Sequence, residues 1–161
     1  FPQWIHSLVL YHSTPRGDAP EKMALRKKSI DFIRKHGSGA FLSEVIPNLY
    51  SREYAAGYPE RIAEKIKEQA GIHPEVWVRY YEAMMTRPDR SLILRKSAMP
   101  IGFIAGAKDA VIPFAQSIED CSLPSQSFSL LLREVGHMGM LENPEKSSIF
   151  LTKFLRNTPA V

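Results

Sequence analysis

A single cysteine, Cys121, is all the thiol chemistry the 161 residues offer, and that scarcity removes two classes at once. One thiol cannot close an internal disulfide, and small secreted scaffolds carry larger, even cysteine counts. Nor can it supply the thiolate set of a cysteine-rich zinc site. Long apolar runs are missing too. No stretch approaches the roughly 18 consecutive apolar residues that cross a bilayer, and the start Phe1-Pro2-Gln3-Trp4-Ile5-His6 has neither a basic leader nor an initiating Met. The expectation is a soluble, cytoplasmic protein whose first residue is a cut end. Charge of one sign is also in short supply, with 21 Lys and Arg against 17 Asp and Glu. The densest basic run, Arg26-Lys27-Lys28 followed by Arg34-Lys35, is interrupted by apolar residues. That pattern suits the solvated face of a helix better than a phosphate-binding stripe, so neither nucleic acid nor membrane is an expected partner.

What is present is 44% hydrophobic residues, enough for one ordinary core. The first apolar run, Ile5 to Tyr11, stops at His12-Ser13-Thr14-Pro15. A short continuous run closed by turn residues predicts a strand buried on both faces. Helical periodicity follows. Asp18 is a candidate cap, Pro20 suits a first turn, Met23, Ile30 and Ile33 share a face, and Gly37 ends a helix over 20–36. A brief helix is expected between Gly39 and Leu49, broken by Pro47. Firmer helices cover Tyr58 to Ala70, with Ile62, Ala63, Ile66 and Ala70 on one face, and the stretch after His73-Pro74. There Trp77, Tyr80, Tyr81 and Met84 form an apolar stripe that is read as core before Arg87-Pro88.

The pattern then turns to strands. Pro100 to Gly106 opens into Ala107-Lys108-Asp109-Ala110-Val111-Ile112-Pro113, after which Pro113 to Asp120 suits a short helix. Ser127 to Leu132 is a third strand, with Glu134-Val135-Gly136-His137-Met138-Gly139 as its exit. Asn143 caps and Pro144 opens a last helix expected to bury Phe150, Leu151, Phe154 and Leu155. Strand, helix, strand, helix at this spacing predicts an α/β fold with parallel, right-handed crossovers. Three strands make a narrow sheet with at least one open apolar edge, so the missing half of a larger domain or another chain is expected to cover it.

In open parallel sheets ligands gather beyond the carboxyl ends of the strands. The residues there are His12, Asp109 and His137. A carboxylate beside an imidazole can hold the ring in one tautomer and stabilise the imidazolium, which is two thirds of a nucleophilic triad. His12 has no acid partner evident in sequence and is read as a cleft residue that touches substrate. Glu142 is read as a charge at the N-terminus of the last helix, and Cys121 as a structural thiol.

The segment Gly106 to Pro113, followed 28 residues after its aspartate by His137 within Gly136-His137-Met138-Gly139-Met140-Leu141-Glu142-Asn143-Pro144-Glu145, resembles the C-terminal portion of the α/β-hydrolase family. In that family a G-x-x-D-x-x-x-P loop carries the acid and a G-H-x-x-x-x-E-x-P-E segment carries the base. The resemblance covers nearly the whole chain. Leu8 to His12 resembles the strand before the cap, and Thr86-Arg87-Pro88-Asp89-Arg90 the return from cap to core in small esterase, lactonase and cofactor-free peroxidase-like members. It implies a partial core over 1–13 and 97–161, three parallel strands, and over 14–96 a helical cap that closes on the cleft, with its return to core. It implies Asp109 as catalytic acid, His137 as base, no metal and no cofactor, and a small ester or related carboxylic-acid derivative as substrate.

The family's G-x-S-x-G elbow has no counterpart here, since Gly37-Ser38-Gly39 has the wrong spacing and follows a helix. The expected serine therefore lies upstream of Phe1, and the chain alone is expected to be inactive. Two alternatives stay open: an aspartate nucleophile, as in dehalogenase and epoxide hydrolase-like members, or a non-catalytic ligand receptor on the same fold.

Overall fold

The computed structural model describes residues 4–158, so the outermost residues of the expected core, 1–3 and 159–161, lie outside the described part. The chain runs β1 (Leu8–Tyr11), α1 (Pro20–Val45), a 3-10 turn (Pro47–Leu49), α2 (Arg52–Gly57), α3 (Pro59–Ala70), α4 (Pro74–Thr86) and α5 (Ser91–Lys96). It continues with β2 (Ile101–Gly106), α6 (Phe114–Cys121), β3 (Ser127–Leu132), α7 (Gly139–Glu142) and α8 (Pro144–Asn157). It divides into two compact units.

The first unit holds the sheet and comprises the chain up to Pro15, Leu49–Tyr54, and everything from Arg90 onward. The order is β1-β2-β3 and both pairs are parallel, with Leu8 opposite Ile101 and Ile101 opposite Ser127. All six residues of β2 are buried, as a central strand covered on both faces must be. Alternation along the strands sorts the apolar side chains into two clusters. Leu10, Ile101 and Phe103 pack with Leu94 of α5 and Cys121 of α6; Val9, Tyr11, Ile104 and Leu132 pack with Phe150 and Leu151 of α8. The outer strands are less covered. Leu8, Phe128 and Leu131 are exposed, and among the described residues β1 and β3 each pair with a strand on one side only.

Asn143 caps α8 as its type predicts, its side-chain oxygen accepting from the Lys146 N–H at 3.2 Å. The expected apolar face of α8 needs one correction. Ser147, Phe150, Leu151 and Phe154 follow the helical repeat onto the sheet, whereas Leu155 is rotated about 100° from Phe154 and is exposed.

The second unit comprises Arg16–Asn48 and Ala55–Asp89. Its core is Ile30, Ile33, Phe41, Leu42, Ile62 and Val78. The helix expected over 20–36 does break at Gly37, which takes φ 81° and ψ 174°, a left-handed backbone that a side chain would resist; a second helical segment continues beyond it to Val45, so α1 is two helices meeting at a kink. Ser38 is buried just beyond the bend, its hydroxyl donating to the Ile72 carbonyl. In α4 the stripe is rotated from the expected one. Val78 is fully buried and Trp77 and Tyr81 ring Phe41, but Tyr80 is exposed.

Asp18 does not cap α1, whose N-cap is Ala19. Its carboxylate instead takes the guanidinium of Arg26, which leaves Arg26 mostly buried while Lys27 and Lys28 stay in solvent. The basic run is therefore only partly the solvated face that its composition suggested. Arg87 donates to the Arg16 carbonyl at 2.6 Å, and a β-carbon on Gly17 would stand 3.0 Å from the Arg87 carbonyl, so the two ends of this unit are drawn together.

The range 14–96 is expected to hold a helical cap and its return to core. Within it, Leu49–Tyr54 and α5 belong to the sheet-bearing unit. The reason is long-range hydrogen bonding: the Leu49 carbonyl accepts from the His137 N–H and the Ser51 N–H donates to Glu142.

Candidate active site

His12, Asp109 and His137 follow β1, β2 and β3 in turn, so the parallel register brings all three to the same end of the sheet. The relation between the aspartate and histidine loops is set by backbone. A β-carbon on Gly106 would stand 2.2 Å from the Val135 carbonyl oxygen and 2.3 Å from that of Gly136. Only glycine lets the β2 exit lie that close to the histidine loop. The Ala107 N–H then donates to Leu132 at 2.9 Å and the Lys108 N–H to Val135 at 3.0 Å, fastening one loop to the other.

The Asp109 carboxylate is 3% exposed and fully engaged. Oδ1 accepts from the N–H groups of Val111 and Ile112 at 2.8 and 2.9 Å, an Asx turn that aims the other oxygen. Oδ2 lies 2.9 Å from His137 Nδ1. Burial alone would push this carboxyl upward, but the His12 and His137 imidazoles beside it and the Ile112 N–H outweigh that and hold the group well below the usual carboxylate range. An ionised carboxylate can only accept, so the His137 ring donates to it from Nδ1 and Nε2 is left for other chemistry. The His137 side chain is 24% exposed, enough to be reached from solvent.

His12 is turned inward. Its side chain is 1% exposed, with Nδ1 3.5 Å from Asp109 Oδ2, so the acid partner that sequence did not reveal is Asp109 itself. The two imidazoles meet edge to face at 6.0 Å between centroids. The segment leaving β1 is anchored by Thr14, whose hydroxyl donates to the buried Asp120 at 2.8 Å and accepts from Gln116. The donor atoms of His12, Asp109 and His137 all lie within 4.8 Å of one another, a spacing that a metal ion could bridge. The 2.9 Å separation is nevertheless a direct hydrogen-bond length, and it accounts for the carboxylate without an ion.

Two contributions have no clear signal in the sequence. Glu142 is not spent on the N-terminus of α8. Its carboxylate reaches back to accept from the Gly136 N–H at 3.0 Å and the Ser51 N–H at 3.0 Å, joining the histidine loop to residues 49–54. Gly136 permits this because a β-carbon there would stand 2.5 Å from the Ser51 nitrogen. Lys108, next to the aspartate, binds Glu134 and Glu53, and those two partners favour its charged form. The E in G-H-x-x-x-x-E was visible as a motif position, but nothing pointed to Ser51, which is 91 residues from Glu142.

Cys121 is half-buried against the sheet, and burial first, with the Asp120 charge second, pushes its thiol up to about 11. It is protonated near neutral pH and poorly suited to act as a nucleophile. Among the described residues no serine or threonine hydroxyl is hydrogen-bonded to His137, and no helix is long and apolar enough to cross a membrane.

No family model matches the sequence, and no curated protein matches it. Solved structures do. A thermophilic esterase from Thermogutta terrifontis, solved with malate bound, matches with TM-score 0.83 over 96% of this chain at 26% identity. MGS-M2, an alpha/beta hydrolase enzyme from a Medee basin deep-sea metagenome library, matches over 100% of the chain with TM-score 0.87 at 14% identity. The enol-lactonase from Burkholderia xenovorans LB400 matches over 94% with TM-score 0.81 at 20% identity. This chain spans 57%, 60% and 56% of those three chains, respectively. The three parallel strands and their helices are thus part of the α/β-hydrolase fold, and the chain carries that fold over its described length.

Proposed function

We propose that this chain supplies the acid and the base of a hydrolase that acts on a small ester or a related carboxylic-acid derivative. The observation that carries the reading is the 2.9 Å pairing of Asp109 Oδ2 with His137 Nδ1, in which one partner is buried and the other is open to solvent. The esterase and the enol-lactonase among the similar structures support the substrate class. The nucleophile, a serine, is assigned to the part of the fold that these residues do not span, since the similar chains are longer.

In this reading His137 Nε2 removes the serine proton as the oxygen attacks the carbonyl carbon, and Asp109 stabilises the imidazolium that forms. The same proton passes to the leaving alkoxide as the carbon–oxygen bond breaks. Water then attacks the acyl-enzyme, giving its proton to Nε2, which returns it to the serine. No step needs a metal or cofactor. Without a nucleophile and oxyanion hole the 161 residues alone are inactive.

The test is turnover of p-nitrophenyl acetate by the full-length protein. His137→Ala is expected to lower kcat by a factor on the order of 10³ or more, and Asp109→Asn by a similar factor, with the fold retained. Undiminished turnover in folded His137→Ala would overturn the assignment.

A further inference from the structure

His12 has no task in the two-residue arrangement above, yet three features of the fold converge on holding it. Its φ is 43°, the one positive value among the described residues that are not glycine. A residue with a β-carbon pays on the order of 1 kcal/mol for that conformation. The strain persists because both sides are pinned: the His12 N–H donates to the Ile104 carbonyl at 2.8 Å, and Thr14 is held by Asp120. The third feature is room. A β-carbon on Gly139 would stand 2.1 Å from His12 Nε2, so only glycine at that position admits the ring.

The ring so placed is buried, and neither of its nitrogens makes a hydrogen bond of normal geometry to any other group. Among the described residues the carboxylate beside it is Asp109, with Oδ2 at 3.5 Å from Nδ1. Oδ1 already takes two backbone N–H groups, and Oδ2 takes His137. The remaining lone-pair direction of Oδ2 is open to one more donor, and among the described residues the buried group beside it is His12. The 3.5 Å contact is longer than the 2.9 Å one, so His12 ranks behind His137 and does not displace it.

We propose that His12 is a positioning residue of the hydrolytic site: its neutral imidazole donates Nδ1–H to Asp109 Oδ2 and fixes the carboxylate in the orientation that His137 requires. The inference rests on the assignment of Asp109 and His137 as acid and base, and it goes beyond that assignment by giving the acid a second imidazole from another strand. His12 acts through Asp109. It touches neither substrate nor nucleophile, because its side chain is 1% exposed.

Two substitutions separate donation from packing. Asn tolerates a positive φ, and its side-chain N–H₂ falls near the position of Nδ1, so His12→Asn keeps a donor. Leu has a similar size without a donor. In the full-length protein His12→Asn is expected to keep kcat within about threefold of the parent, and His12→Leu to lower kcat by roughly ten- to a hundredfold with KM unchanged, because orientation of the base matters in the transition state and not in ground-state binding. Leu at parental kcat, or Asn and Leu equally impaired while folded, overturns the proposal.

A second measurement needs neither substitution nor turnover. Long-range ¹H–¹⁵N correlation of the histidine rings in the unmodified full-length protein is expected to show His12 as the Nδ1–H tautomer at neutral pH, and the Nε2–H tautomer overturns the proposal. The two readings fail differently. Absence of ester turnover in the parent contradicts the hydrolase assignment and leaves the tautomer to be read, whereas normal turnover in His12→Leu contradicts the role of His12 alone.

Discussion

Apart from Gly17, which lies against the Arg87 backbone, the two units use glycine in opposite ways. In the helical unit Gly39 and Gly71 have nothing within 4 Å of the place a β-carbon would occupy, so their small size serves no packing. In the sheet-bearing unit Gly106, Gly136 and Gly139 would each place a β-carbon within 2.5 Å of a backbone or ring atom. Buried polar groups divide the same way: His12, Thr14, Ser51, Ser117, Asp120 and Ser147 belong to the sheet-bearing unit, and Ser38 to the helical one. One region is held by helical periodicity and apolar faces. The other is held by close backbone approach and long-range hydrogen bonds, and that is the region able to fix two side chains at hydrogen-bonding distance.

The sharpest way to break this contrast is Gly106→Ala. The added methyl meets two carbonyl oxygens that belong to backbone and cannot swing aside, so a loss of about 3 kcal/mol or more in urea denaturation is expected, or no folded protein at all. A loss below about 1 kcal/mol would mean that the two loops separate more easily than their hydrogen bonds suggest.

Glu142→Ala comes next. It strips the Gly136 and Ser51 N–H groups of their acceptor, and the cost is expected at about 1–3 kcal/mol. Hydrogen exchange should quicken at residues 136–137 and at Ser51 together, because one carboxylate holds both. Faster exchange at only one of them would separate the two loops.

In the helical unit the sign reverses. Gly39 lies within α1 with open space around it, so Gly39→Ala is expected to raise stability by about 0.5–1 kcal/mol. A destabilised Gly39→Ala protein would show that this limb of α1 is more constrained than the space around it implies.

The smallest effect at ordinary pH concerns Asp109. Its folded-state value lies below its unfolded one, so the stability it contributes is fully present above about pH 4 and is lost as pH falls toward the folded value. Between pH 5 and 8 it adds no slope. Stability measured against pH is expected to drop less steeply below pH 4 in Asp109→Asn than in the parent, and identical acid limbs would deny the carboxylate this role.

Some of this was open to reading from the residues, for definite reasons. Ser127 to Leu132 alternates serine with phenylalanine and leucine before two further leucines, between turn residues, and it is β3 with those same bounds. Asn143-Pro144 signals a helix start by local chemistry and opens α8. Asp109 and His137 could be singled out because each sits just past a strand, and parallel pairing then leaves them at one end of the sheet. The misreadings are equally physical. Asp18 has the type of a cap, but a nearby guanidinium attracts its carboxylate more strongly than a neutral N–H does. Tyr80 and Leu155 fit a helical repeat and still face solvent, because periodicity marks a face only to within one residue in width.

What the sequence determined by itself are local matters: where β3 and α8 begin, which loops carry Asp109 and His137, and the α/β class with parallel strands. These follow from φ/ψ preference, capping and hydrophobic period, all of which act within a few residues. The tertiary structure alone decided the rest. It turned His12 inward onto Asp109, brought Glu142 back to Gly136 and Ser51, and placed residues 49–54 with the sheet-bearing unit. Each joins groups far apart in the chain or depends on the space a neighbour leaves, and no local propensity encodes those distances.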